Sequence, residues 1–455
     1  MDKHERTFFG TDGIRGVAGA RPLDSLSLVR LGKAIAKVFL GKAGKHRILI
    51  GKDTRLSGYM IETALASGIT SMGADVMLVG PLPTPGVAYL TKSMRADAGV
   101  MISASHNPYN DNGIKIFASD GHKLPDQTES EIEALMAPGV LDEEGAPAAE
   151  IGKATRIEDA VGRYTVHLKN CFPRDLSMER LKIGIDCANG AGYLVAPQTF
   201  QELGAEVVAR GISPNGRNIN AGFGSLYPEI SRKLVQEYSL DLAFALDGDA
   251  DRVVAVDSNG NVLDGDMILG ICARDMQDRG ELRENRIVAT VMSNLGLDRF
   301  LSSNGIEVLR APVGDRYVLE EMRRSGVQLG GEQSGHVIFS EHSTTGDGIL
   351  TALMLLSVML RRNQSLAELV ADFKRFPQKL LNIEVAKKPP LTSIDSIQEI
   401  IASKEQELGK SGRVLVRYSG TENKVRVMVE CEDEDQCRAH ATDIARVIEQ
   451  EIGAL

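Results

Sequence analysis

Long apolar runs are missing from this 455-residue chain. No stretch reaches the ~20 apolar residues that cross a bilayer, and the N-terminal MDKHERTFFG has no apolar core of the kind secretory signals carry. The expectation is a cytoplasmic protein with no membrane partner. Cysteine is scarce: Cys171, Cys187, Cys272, Cys431 and Cys437 are scattered without a CxxC or paired spacing, which fits reduced thiols in apolar surroundings better than a zinc or disulfide framework. A basic excess is also absent. The formal net charge is -10, which argues against a nucleic-acid partner, because such proteins usually present a basic face. An anionic small substrate would then need a local basic pocket. Finally, there is no GxxxxGK phosphate loop and no GxSxG elbow, so nucleotide hydrolysis and α/β-hydrolase chemistry lack their central features.

What is present is a repeat. HRILIGKDTR, LKIGIDCANG and NRIVATVMSN each read as a strand entering a polar loop. Each is followed, after a stretch of helical length such as GYMIETALASGITSM, by a second strand: GADVMLVGPLPTP, GAEVVARGISPNG and GIEVLRAPVGDR. Each pair forms a βαβ unit with a right-handed crossover. A third strand with a loop at its end comes next in all three: AGVMISASHNP, DLAFALDGDADR and GVQLGGEQSGH. The fold class is α/β: three similar, βαβ-rich mixed-sheet domains at 1–160, 161–262 and 263–376, with functional loops at the carboxyl ends of strands. Residues 377–455 carry two alternating strands around a Ser-Gly-Thr loop and a final helix, a smaller C-terminal α+β domain. The apolar stretch Ile349 to Leu360 suits a core, the alternative being the face of a homodimer.

The loops carry the chemistry. In VMISASHNP a buried strand stops at Ser103, Ala104 and Ser105, and a hydroxyl in a proline-stiffened turn is placed to act as a nucleophile. In DGDADR, Asp247, Asp249 and Asp251 put three carboxylates within five residues. They repel unless a cation lies between them, and hard oxygen ligands suit Mg²⁺. An EF-hand is excluded because its glycine and glutamate positions hold Arg252 and Ser258. Arg417, Ser419, Gly420 and Thr421, with Arg426 close behind, form a loop able to hold a phosphate dianion, although a plain hairpin turn reads the same. Glu332 and Ser334 in GGEQSGH could grip sugar hydroxyls; a flexible glycine turn is the bland alternative. Arg15 in FFGTDGIRG and Lys115 in DNGIKIF are either site residues or ordinary surface charges.

Together, SASHNP, DGDADR, GEQSGH and RYSGTE stand in the order of the α-D-phosphohexomutase superfamily, which the chain resembles along its whole length. FFGTDGIRG, the glutamine of GGEQSGH and STTGDG make it similar to the bacterial phosphoglucosamine mutases within that superfamily. It departs at Asn423, where the family commonly has proline. The resemblance implies four domains around a central cleft, with the last one closing on it. Ser105 would carry the phosphoryl group and Asp247, Asp249 and Asp251 would hold one Mg²⁺, an oxygen of phospho-Ser105 completing the set. Glu332 and Ser334 would bind the sugar, and Arg417, Ser419, Gly420, Thr421 and Arg426 the distal phosphate. Lys115, His336 and Arg15 would be the candidates for proton transfer, and Arg252 could offset the acidic cluster. The implied activity is isomerisation of glucosamine 6-phosphate to glucosamine 1-phosphate through a 1,6-bisphosphate, which also serves as activator, the product feeding UDP-N-acetylglucosamine and cell-wall precursors. The alternative is the same chemistry on mannose or glucose phosphates. A phosphosugar-binding regulator would need neither Ser105 nor the aspartates, and a phosphatase would carry its phosphate on Asp247.

Overall fold

The computed structural model describes residues 8–10, 12–40, 45–409, 411–419 and 423–453. The chain divides into two compact units, one of residues 1–292 and 305–371, the other of 293–304 and 372–455. No helix among the described residues is long and apolar enough to cross a membrane.

The first unit contains three sheets built to one plan. In the first sheet, Arg47–Lys52 pairs in parallel with Asp75–Pro81 on one side and Ala98–Ile102 on the other. Asp111–Ala118 then returns antiparallel beside Ala98–Ile102. The second sheet repeats this with Lys182–Asp186 between Glu206–Arg210 and Leu242–Leu246, and Val253–Asp257 returning. The third does so with Arg286–Thr290 between Glu307–Ala311 and Leu329–Gly331, and Val337–Phe339 returning. The mixed-sheet triplication expected from sequence is therefore present. Helices such as Ser57–Ser71 make the crossovers that parallel pairing requires. Strands Ala98–Ile102 and Leu242–Leu246 are buried at every position, which is why their sequences are continuous apolar runs rather than alternating ones. In each sheet the loop between the third and fourth strands leaves at the carboxyl end of the third, at 103–110, 247–252 and 332–336.

Ile349 to Leu360 lies in the helix Gly348–Arg362, whose Ile349, Leu350, Leu353, Leu355 and Leu356 are buried within this unit. Asp347 caps it, accepting the amide of Leu350 at 2.9 Å.

The second unit is the expected α+β fold. Lys424–Cys431 is central, antiparallel to both Gln378–Glu384 and Gly412–Tyr418. Helices Asp395–Leu408 and Glu434–Ile452 supply Ile397, Ile444 and Ile448 to a core with Val425, Val427 and Val429. Helix Leu295–Ser302 also belongs to this unit: the amide of Leu295 donates to Glu430 at 2.8 Å, and Asn294 donates to the carbonyl of Phe376 at 3.0 Å.

One expectation needs correction. Cys431 and Cys437 are paired as a disulfide. The chain reverses from the end of strand Lys424–Cys431 into helix Glu434–Ile452, bringing the two Cα atoms to 5.8 Å, inside the range a disulfide spans. Cys171, Cys187 and Cys272 are free, and burial pushes the Cys171 thiol up to about 12.

Candidate active site

Ser105 sits at a left-handed φ of 51°, unusual for a residue with a side chain. Its amide donates to the Ser103 hydroxyl at 2.9 Å, and its own Oγ donates to Asp247 Oδ2 at 2.5 Å. Loops from the first and second sheets thus meet at the serine. They meet closely because residue 248 is glycine: a Cβ there would lie 2.5 Å from the Ser105 carbonyl oxygen.

Asp247, Asp249 and Asp251 are all buried, and each offers a carboxylate oxygen within 4.8 Å of the others. Oδ1 of Asp249 and Oδ1 of Asp251 are buried without a hydrogen-bond partner. Burial, then the charges of Asp251 and Asp249, hold the Asp247 carboxyl well above its usual range. Orphaned buried oxygens and mutual repulsion in an all-oxygen set are what a hard divalent cation would relieve, so these residues fit a metal. Thr84 fixes the loop from the first sheet's side, donating through its hydroxyl to Asp249 Oδ2 at 2.6 Å and through its amide to the Asp249 carbonyl at 2.9 Å.

Lys115 is no surface charge. Its ammonium is 2 % exposed and lies 3.1 Å from Asp249, 3.2 Å from Asp251 and 3.3 Å from Asp12. Burial alone would lower it, but Asp12, Asp249 and Asp251 outweigh burial and raise it well above the usual lysine range. Asp12 also pairs with Arg15 and Lys123. Against the cost of burial, Lys115, Lys123 and Arg15 hold the Asp12 carboxyl far below the usual range. Lys123 continues to Asp315, which lies 3.7 Å from His336 Nε2. His336 Nδ1 lies 3.7 Å from Asp251, and His336 Nε2 accepts the amide of Gly346 at 3.1 Å. The Gly346 contact selects the tautomer with its proton on Nδ1, facing Asp251. Burial opposes a charge on His336, yet Asp251, Asp315 and Glu332 raise it above its ordinary value.

Arg252 approaches Asp251 at 3.7 Å, and its amide donates to Asp247 at 3.1 Å. His106 lies between Arg252 Nη1 at 3.2 Å and Ser105 Oγ at 3.4 Å. Burial, then Arg252 and Arg15, lower it to about 4, so the imidazole is neutral near pH 7. Glu332 Oε1 accepts the amide of Gly314 at 3.0 Å, and the exposed Ser334 hydroxyl is 3.4 Å from Glu332 Oε2. The turn they share depends on Gly335 at φ 92°, where a Cβ would come 2.1 Å from the Val253 carbonyl oxygen.

The loop expected to hold phosphate lies in the second unit. Arg417 and Arg426 face each other across paired strands, and burial followed by the Arg426 charge lowers Arg417. Ser419 is buried; its amide donates to the Lys424 carbonyl at 2.8 Å and its carbonyl accepts from Lys388 at 3.1 Å. Two cations pressed together in this way favour a bound anion. Gly420 and Thr421 lie outside the described residues.

The first unit thus brings together Ser105, the three aspartates, Lys115, Arg15, His336 and Arg252. Sequence reasoning assigned no role to Asp12, Asp53, Arg55, Thr84, Lys123, Asn220 or Asp315. Asp12 and Arg15 share the stretch FFGTDGIRG, and Asp53 and Arg55 end the polar loop after the first strand, so position at a strand's carboxyl end was their available signal.

Comparison with known proteins extends these observations to the whole chain. Family models described as phosphoglucomutase/phosphomannomutase match it four times. These are alpha/beta/alpha domain I at residues 6–140, domain II at 162–260, domain III at 264–376 and the C-terminal domain at 380–447. A phosphoglucosamine mutase of Syntrophotalea carbinolica is 55% identical over 450 residues, covering 99% of this chain and 98% of that protein. One from Citrifermentans bemidjiense is 54% identical over 448 residues, covering 98% and 99%. The crystal structure of a phosphoglucomutase/phosphomannomutase family protein from Burkholderia thailandensis shares the fold, with a TM-score of 0.80 at 23% identity, covering 98% of this chain and 99% of that one.

Proposed function

The chain belongs to the phosphoglucomutase/phosphomannomutase family, and from that premise we propose that it interconverts glucosamine 6-phosphate and glucosamine 1-phosphate through a phosphoserine at Ser105. The observation that carries this reading is the Ser105 hydroxyl, 2.5 Å from Asp247 at the edge of the three-aspartate cluster. The amino-sugar preference rests on the two phosphoglucosamine mutases that match the chain end to end.

Phospho-Ser105 passes its phosphoryl group to the C1 hydroxyl of glucosamine 6-phosphate, breaking the serine O–P bond and forming the 1,6-bisphosphate. That intermediate turns over and its 6-phosphate returns to Ser105, releasing glucosamine 1-phosphate; free 1,6-bisphosphate primes an unphosphorylated enzyme. Phosphoryl transfer needs positioning and charge neutralisation above all. Asp247, Asp249 and Asp251 would hold one Mg²⁺, which neutralises charge on the transferring group when bound. Lys115, bridged between two of these aspartates, adds a positive charge to the cluster. The candidates for moving the hydroxyl proton are Arg15, Lys115 and His336, which are linked by contacts through Asp12, Asp251 and Asp315. Glu332 and Ser334 receive the sugar hydroxyls, and Arg417, Ser419, Gly420, Thr421 and Arg426 take the other phosphate. Domains ending near residues 160, 262 and 376, a cytoplasmic setting and a product leading to UDP-N-acetylglucosamine belong to the same reading.

The test is a phosphorus NMR time course with glucosamine 6-phosphate, Mg²⁺ and a trace of sugar 1,6-bisphosphate, run beside glucose and mannose phosphates. Growth of a glucosamine 1-phosphate resonance, faster than the parallel reactions, is expected. No such resonance, although Ser105 takes up phosphate, would transfer the activity to another hexose.

A further inference from the structure

The serine loop turns its carbonyl groups inward onto one buried cation. Arg55 is fully buried. Its Nη2 donates to the carbonyls of Ser105 at 3.0 Å and Asn107 at 2.8 Å, and its Nη1 to those of Pro108 and, at 3.1 Å, Asp111. Its Nε donates to Asp53 Oδ2 at 2.8 Å. The same Asp53 oxygen accepts the Ser103 hydroxyl at 2.7 Å, and that hydroxyl accepts the Ser105 amide at 2.9 Å. Both backbone groups of Ser105 therefore lead back to the Asp53–Arg55 pair. From the second sheet's side, Asn220 Nδ2 donates to the carbonyls of Ser105 and Asn107, each at 2.9 Å.

We propose that Arg55 and Asn220 are positioning residues for phosphoryl transfer, clamping the Ser105 carbonyl so that the left-handed serine presents Oγ to the aspartate cluster both free and phosphorylated. The proposal rests on Ser105 being the phosphoryl carrier. A serine at φ 51° holds that conformation only where its surroundings over-determine it, and here six hydrogen bonds to the carbonyls of Ser105, Asn107, Pro108 and Asp111 do so. A phosphoryl group on Oγ adds charge beside Asp247, and repulsion would swing an unheld turn away. A guanidinium suits the task because its planar fork offers five fixed donors, whereas an ammonium offers three on a flexible stem. Because the clamp touches the loop from behind, it acts on Oγ geometry and not on sugar binding.

The experiment uses full-length enzyme, phosphorylated with sugar 1,6-bisphosphate, as wild type, Arg55→Lys and Asn220→Ala. Turnover of glucosamine 6-phosphate gives kcat and KM, and intact mass over time gives the loss of phosphate from Ser105 to water. Expected are a fall in kcat of ~100-fold for Arg55→Lys and ~10-fold for Asn220→Ala with KM little changed, or about 2.7 and 1.4 kcal/mol of barrier at 1.36 kcal/mol per decade. The phosphoserine of both variants should also hydrolyse faster. Asn220→Ala removes only a side chain at the loop's edge, so its effect remains readable if Arg55→Lys folds poorly. Variants that keep wild-type kcat and phosphoserine lifetime, or that change KM instead, overturn the proposal while the mutase reading stands. A wild type that never takes phosphate on Ser105 overturns both.

Discussion

Lys115 lies within 3.3 Å of three carboxylates, whereas Arg417 faces Arg426 across two strands of the C-terminal sheet. The first arrangement sets cations against carboxylates: Lys115 meets Asp12 and Asp251, Lys123 meets Asp12 and Asp315, and His336 lies between Asp315 and Asp251. The second concentrates one sign in partly buried strands, and burial with like charge lowers Arg417 rather than raising it. Charges that persist through a catalytic cycle have to be balanced by the fold itself, since burying an uncompensated charge is costly. The serine site is thus organised by the fold itself, whereas the arginine strands set two like charges opposite each other.

Breaking the organised site should cost most. Ser105→Ala removes the phosphoryl acceptor and is expected to lower turnover at least ~10⁴-fold, as loss of a covalent nucleophile does, with the thermal midpoint nearly unchanged. Phosphorus NMR with glucosamine 6-phosphate checks it, and ordinary activity would remove Ser105 from the reaction. Asp249→Asn comes next. It withdraws a carboxylate from the cluster and from Lys115, so divalent-ion affinity should fall by more than the ~10–100-fold that outer partners of metal ligands are worth. Titration calorimetry with Mg²⁺ measures it, and chelation followed by Mg²⁺ should abolish and restore wild-type turnover.

The arginine loop should respond in KM. Arg417→Ala loses a charge-assisted hydrogen bond worth ~1.5–3 kcal/mol, or a ~10–100-fold rise in KM with kcat far less affected. Salt sharpens the contrast, because raising ionic strength from 0.1 to 1 M shortens the screening length from ~10 to ~3 Å and acts mainly on exposed charge. Wild-type KM should rise steeply over that range and the variant's much less. Equal slopes would mean that Arg417 does not meet the phosphate.

The sequence made the loops legible and left their supports invisible. SASHNP and DGDADR stand out because fully buried apolar strands run straight into polar residues. Arg55, Lys123 and Asp315 do not, because the contacts that tie them to the site reach far along the chain: Ser105 is 50 residues from Arg55, and Asp315 is 192 from Lys123. The triplicated sheets follow from apolar runs at regular intervals, and the α+β character of the last unit from its alternating strands. Helix Leu295–Ser302 joins that unit through Asn294 and Glu430, contacts that no local pattern encodes. Cys431 and Cys437 are likewise brought together by a chain reversal rather than by a recognisable spacing.

The smallest effect tests the rule of compensation where the fold omits it. Asp186 ends the first strand of the second sheet, and its carboxylate accepts the amides of Ala188 at 2.9 Å and Gly224 at 2.7 Å rather than a cation. Burial raises it from 3.8 to about 6. A carboxyl whose folded pKa lies above its unfolded value favours folding in its protonated form. Its contribution is therefore complete below about pH 4 and lost as pH rises through about 6. Two units at 1.36 kcal/mol each set the scale, roughly 1–3 kcal/mol of unfolding free energy across that window. Asp186→Asn titrates nowhere in this range and should weaken the fold at low pH through its one lost acceptor. The gap between wild type and variant in urea midpoints should then narrow as pH rises from 4 to 7. A gap independent of pH would mean that Asp186 is ionised throughout, and that two backbone amides compensate a buried carboxylate as fully as Lys115 does beside Asp251.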